Sequence, residues 1–80
     1  MKIEVLGSGC AKCQRLYAEA ERAVAEAGVA ADLVKVEDMQ AIVERGVMLT
    51  PALAVEGRIK SSGRIPPADE IAGWLREAGA

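Results

Sequence analysis

The chain of 80 residues suits one small domain with a thin core, since a chain this short buries only roughly 60% of its unfolded surface. About half of it is apolar (51%), which excludes disorder, and the lack of Phe leaves core volume to Leu, Ile, Val, Met, Tyr17 and Trp74. A formal net charge of −2 with signs interspersed leaves no nucleic-acid footprint, and no basic helix or long apolar span marks a membrane protein.

In chain order, Ile3 to Leu6 reads as a short apolar strand, followed by a Gly7-Ser8-Gly9 turn. The start Met1-Lys2-Ile3-Glu4 lacks the apolar run of a signal peptide, so the cytoplasm is the expected location. From Ala11 to about Ala27 the pattern is helical: Leu16, Tyr17, Ala20, Val24 and Ala27 share one face, and Gly28 is the stop. Arg15, Glu19, Arg22 and Glu26 alternate in sign on another face, as expected of a solvated helix surface. Ala31 to Val36 reads as a second strand, making a βαβ unit with a parallel pair.

Asp38 then caps a shorter helix, Met39 to Arg45, whose expected buried stripe is Met39, Ile42 and Val43, and Gly46 ends it. Thr50-Pro51 precedes the apolar run Ala52 to Val55, Glu56-Gly57 makes a hairpin turn, and Arg58 to Ser61 returns. Pro66-Pro67 opens a last helix, Pro67 to Ala78, with Ile71, Trp74, Leu75 and Ala78 as its stripe. Gly73 inside that helix is expected to permit close packing on the sheet, and Gly79 closes it. The order β-α-β-α-β-β-α predicts an α/β fold over residues 1–80, a four-stranded mixed sheet flanked by three helices.

Reactive chemistry concentrates at Cys10-Ala11-Lys12-Cys13, where the first helix begins. Two cysteines three apart can close a small disulfide ring or together hold a soft metal. The unpaired N–H groups and positive dipole end of a helix start favour thiolate at the first of them. A close pair in so small a chain staples almost nothing, so redox chemistry or metal binding is the expected use. A closed zinc site needs four ligands, and the chain has two cysteines and no histidine. Gly7-Ser8-Gly9 mimics the start of a dinucleotide fingerprint, but Lys12 stands where the third glycine belongs.

Three motifs in this element order resemble the thioredoxin superfamily, closest to the small thioredoxin-like or glutaredoxin-like proteins called redox-active disulfide protein 2. They are Gly9-Cys10-Ala11-Lys12-Cys13, the run Gly46 to Leu53 with Thr50-Pro51, and Ser62-Gly63. The resemblance implies a thioredoxin-like fold and a thiol–disulfide oxidoreductase without a cofactor or resident metal. It makes Cys10 the attacking thiolate, Cys13 the resolving thiol and Pro51 a cis-proline. Gly9, Ala11, Lys12, Leu49, Thr50, Pro51 and Gly63 would contact substrate. The implied partners are disulfide-containing proteins and a thioredoxin-reductase-like or glutathione-dependent reductant, with no nucleic acid and no membrane.

The chain departs from thioredoxin in having Gly9 where a tryptophan precedes the first cysteine and Ala11-Lys12 where glycine and proline usually stand. No buried carboxylate is evident beside the resolving thiol. Arg64 follows Gly63, near where glutaredoxins carry an acidic residue for glutathione's amino group. Two alternatives stay open. One is a soft-metal carrier for Cu(I) or zinc, as in heavy-metal-associated domains, whose order is β-α-β-β-α-β; the other is a redox-inactive interaction module.

Overall fold

A computed structural model describes residues 1–79. The elements are β1 (Lys2–Leu6), α1 (Ala11–Ala27), β2 (Asp32–Val36), α2 (Met39–Glu44), β3 (Ala52–Val55), β4 (Arg58–Ser62) and α3 (Ala68–Ala78). The four strands form one mixed sheet in the order β2-β1-β3-β4. β1 pairs parallel with β2 and antiparallel with β3, and β3 pairs antiparallel with β4 through a bulge between Leu53 and Ala54. This is a thioredoxin-like α/β arrangement.

Period-two alternation assigns the sheet's faces. Ile3 and Val5 of β1, with Leu53 and Val55 of β3, pack against Leu16 and Ala20 of α1 and Ile71 and Leu75 of α3. Ile3, Leu16, Leu53, Ile71 and Leu75 are fully buried, and each contributes about 1.5–3 kcal/mol relative to an exposed position. Leu6, Ala52 and Ala54 face the other way, onto Ile42 of α2 and Val47. Gly28 ends α1 in the left-handed conformation (φ 67°), its N–H donating to the Val24 carbonyl at 3.0 Å. Glu56 (φ 52°) and Gly57 (φ 81°) make the tight β3–β4 turn, both with the positive φ that a two-residue hairpin of this kind demands.

Three expectations are corrected. In α2 only Ile42 is buried, while Met39 (54%) and Val43 (66%) are exposed, because a six-residue helix meets the sheet along one narrow line. The charged row of α1 is not merely solvated: Glu19 accepts the Ala68 N–H at 3.0 Å and Arg22 at 3.0 Å, so it caps the start of α3. Around Gly73, a Cβ would meet nothing within 4 Å, so this glycine marks no close approach to the sheet.

Glu4 is a further departure from a simple apolar strand. It is buried on the α2 face and accepts both guanidinium N–H groups of Arg45, at 2.8 and 2.9 Å. The bidentate pair holds the Glu4 carboxyl below the usual carboxylate range despite the opposing effect of burial. Among the described residues no helix is long and apolar enough to cross a membrane.

Candidate active site

The parallel pairing of β1 with β2 places the C-terminal ends of both strands at one edge, where Gly7 N–H donates to the Val36 carbonyl at 2.9 Å. The chain leaves β1 through Gly7 to Gly9, and Gly9 turns with φ 84° into Cys10. Cys10 is the N-cap of α1 in extended conformation, its carbonyl accepting the Gln14 N–H at 3.0 Å. Cys13 lies one turn in, at the head of the buried stripe that continues through Leu16, Ala20 and Ala23.

The two thiols are free and their sulfurs lie 3.1 Å apart, Cys10 exposed and Cys13 buried. This asymmetry divides their acidity. The Cys13 thiol beside it lowers the Cys10 pKa first, then the backbone N–H groups of Cys13 and Lys12. No N–H caps the Cys10 side chain at hydrogen-bond length, so these groups act on the sulfur through their dipoles. Burial pushes the Cys13 thiol up, and its contact with Cys10 adds to the rise. A thiolate at Cys10 with a neutral thiol behind it is the arrangement that thiol–disulfide exchange requires.

The segment entering β3 and the turn after β4 lie at the same end of the sheet as this pair. The Thr50–Pro51 peptide is cis, and Pro51 is fully buried while Thr50 is exposed. A Cβ built on Gly7 would collide with Cys13 Sγ and lie 3.7 Å from Pro51 Cα, so Gly7 is the spacer between sulfur and proline. Gly63 N–H donates to the Pro51 carbonyl at 2.9 Å and Ser62 Oγ donates to the Leu49 carbonyl at 2.6 Å. Leu49 in turn covers Gly63, where a Cβ would stand 3.0 Å from the Leu49 Cβ. Met48 (93%) and Leu49 (63%) expose apolar surface on this rim.

Of the residues singled out from sequence, the structure thus brings Gly9, Cys10, Cys13, Leu49, Thr50, Pro51 and Gly63 to one end of the sheet. Ala11 and Lys12 sit there too but project outward. Both are exposed, and among the described residues the Lys12 ammonium makes no ion pair. Arg64 is engaged elsewhere: it forms a bidentate pair with Glu70 at 2.6 and 3.1 Å and lies 6.0 Å from the Trp74 ring.

Sequence reasoning missed Gly7 as a packing position and Glu37 as a neighbour of the cysteines. A Cβ on Gly9 would stand 2.6 Å from Glu37 Oε2. Neither carried a signal in the sequence: Glu37 is placed by the parallel register, in which Leu6 pairs with Val36 and the next residues of both strands lie side by side, and the close approach of Gly7 to Cys13 is purely tertiary.

Comparison with known proteins agrees with this architecture. The profile of the thioredoxin domain family matches residues 1–76. A thioredoxin of Methanothermobacter thermautotrophicus is 44% identical over 71 residues, covering 89% of this chain and 92% of its own length. A thioredoxin of Methanocaldococcus jannaschii is 41% identical over 69 residues, covering 86% of this chain and 79% of its own. With the mixed sheet, the cysteine pair at the start of α1 and the proline beside it already in place, these matches show that the chain belongs to the thioredoxin family of redox proteins.

Proposed function

We propose that the protein, acting as one domain over residues 1–80, exchanges disulfides with other proteins through Cys10 and Cys13. The observation that carries this reading is the 3.1 Å sulfur pair with one exposed and one buried member, their acidities pushed in opposite directions. The Cys10 thiolate attacks one sulfur of a substrate disulfide, forming a mixed disulfide and expelling the other sulfur as thiolate. Cys13 loses its proton and attacks Cys10 Sγ. The Cys10–Cys13 bond forms, the bond to substrate breaks, and the substrate leaves with both electrons as a dithiol. A reductant of the thioredoxin-reductase-like or glutathione-dependent class then returns two electrons to the pair.

Substrate is expected on the rim formed by Gly9, Ala11, Lys12, Leu49, Thr50, Pro51 and Gly63. Exposed Thr50 offers backbone groups to an extended segment, while Met48 and Leu49 offer apolar contact. Arg64, paired with Glu70, stands near where glutaredoxins carry an acidic residue for glutathione's amino group, which favours polypeptide disulfides as substrates. The cytoplasm, where such a pair is kept reduced, suits this role. The helix α2 between β2 and β3, where the metal-carrier fold joins two strands directly, argues against that reading.

The test is reduction of a protein disulfide by dithiothreitol with and without catalytic amounts of the protein. Acceleration is expected for wild type and loss for Cys10→Ser, with Cys13→Ser accumulating mixed disulfides. Rates no faster than dithiothreitol alone, or full activity in Cys10→Ser, would overturn the proposal.

A further inference from the structure

Met48 is the most exposed of the three methionines, at 93% against 54% for Met39, while Met1 is partly buried and packed on the main core. Its neighbours explain why. Val47 is buried against Ile42, and Pro51 is buried just before β3. The chain between these two anchors bridges the surface, so Met48, Leu49 and Thr50 all face out. Hydrogen bonds fix the bridge in place. Val47 N–H donates to the Ile42 carbonyl at 3.3 Å, Ser62 Oγ to the Leu49 carbonyl at 2.6 Å, and Gly63 N–H to the Pro51 carbonyl at 2.9 Å.

Met48 therefore stands outside both core clusters, on an anchored rim beside the cis-proline. An unbranched thioether there suits contact with varied apolar surfaces. It is also the apolar side chain that peroxides oxidise, and nothing in its packing shields the sulfur.

We propose that Met48 is an oxidation site at which a peroxide weakens the protein's hold on polypeptide disulfides. The proposal rests on the exchange reading above and adds to it a control of the same rim. A lone pair of Met48 Sδ attacks one oxygen of hydrogen peroxide. The O–O bond breaks, that oxygen stays on sulfur as the sulfoxide, and the other leaves as water. The sulfur is thereby oxidised by two electrons and the peroxide reduced. The side chain becomes polar where it was apolar, and it holds water that an apolar substrate segment must displace.

The cysteines answer the same oxidant differently. Peroxide that meets Cys10 and Cys13, with sulfurs 3.1 Å apart, closes their disulfide and gives water, and a dithiol reopens it. The sulfoxide persists until a sulfoxide reductase removes it. Met48 thus keeps a longer record of peroxide than the cysteine pair does.

The test starts from the closed disulfide form, so that the cysteines are protected. It is treated with hydrogen peroxide, freed of it, and reopened with dithiothreitol, which spares the sulfoxide. Peptide mapping should find Met48 oxidised before Met39 and Met1. Turnover is then read on insulin with dithiothreitol as reductant. Reaction with 5,5′-dithiobis(2-nitrobenzoate), a small disulfide that needs no rim, reads the cysteines alone. For insulin kcat/KM should fall about tenfold, which corresponds to about 1.4 kcal/mol. This is the low end for burial of an apolar side chain, as suits a rim position. The rate with the small disulfide should not change.

Met48→Leu, compared with its own untreated rate, should lose nothing on treatment, and Met39→Leu should lose as much as wild type. Met48→Gln should show the fall without peroxide. Faster oxidation of Met39 or Met1, no fall on insulin, an equal fall on both disulfides, or a fall in Met48→Leu as large as in wild type overturns the inference and leaves the exchange reading intact. An untreated wild type that turns over no insulin overturns the exchange reading, and the inference falls with it.

Discussion

Gly7→Ala isolates the tightest contact of the site. Gly7 lies outside the positive-φ glycines, so an alanine can take its backbone conformation, and the obstacle is purely the Cys13 sulfur. A one-atom side chain has no flexible end to move aside. Either Cys13 rotates away from Cys10, losing the 3.1 Å pairing, or the Gly7 loop shifts against Pro51. Overpacking of this kind costs about 1–3 kcal/mol. For a domain of this size each kcal/mol lowers Tm by roughly 4–8 °C.

In a Cys13→Ala background the sulfur is gone. The new methyl then meets only Cys13 Cβ at 3.4 Å and Pro51 Cα at 3.7 Å, which is ordinary contact. There the same substitution should stabilise by about 0.4–1 kcal/mol through reduced freedom of the unfolded chain. Urea unfolding of the four proteins under reducing conditions gives the cycle directly, provided m stays constant. An equal effect of Gly7→Ala in both backgrounds would refute the assignment of Gly7 as spacer.

Three further outcomes follow from the same geometry. Iodoacetamide near neutral pH should label Cys10 several times faster than Cys13, as peptide mapping of the quenched reaction would show; equal labelling contradicts the opposed acidities. Arg45→Met should cost about 3 kcal/mol at neutral pH by leaving buried Glu4 without its bidentate partner and with only Lys2 at 4.0 Å, measured by urea unfolding. Because the folded Glu4 carboxyl lies below its unfolded value, the pair stabilises above the unfolded pKa and its contribution fades as pH falls through the folded one. The gap between Arg45→Met and wild type should therefore close in acid, and a gap independent of pH would remove the charge from the explanation. Lys12→Gln should change the rate of Cys10 alkylation less than about fivefold, as expected of a solvated cation.

Much of this was legible because local signals agreed with the fold. The glycines at 28, 46 and 57 punctuate elements whose bounds fall within a residue or so of those read from periodicity. Cys10, Cys13 and Thr50-Pro51 drew attention through spacing and resemblance. What stayed hidden depends on how elements meet. Met39 and Val43 look like a buried stripe until α2 proves too short to bury more than Ile42. Glu19 looks like one charge among many until α3 places its first N–H groups against it. Glu4 breaks an apolar strand in sequence and finds its compensation in Arg45, 41 residues away. Glu37 reaches the cysteines only because two parallel strands end together.

The central claim, that Cys10 and Cys13 are a working exchange pair rather than a staple, is tested most directly by their reduction potential. Equilibration with glutathione and dithiothreitol buffers, followed by counting free thiols, measures it. Stabilisation of the Cys10 thiolate favours the reduced form, so the expected couple is modestly more oxidising than the roughly −270 mV of thioredoxin, up to about −200 mV. A value well below about −300 mV is that of a structural disulfide and would contradict the account.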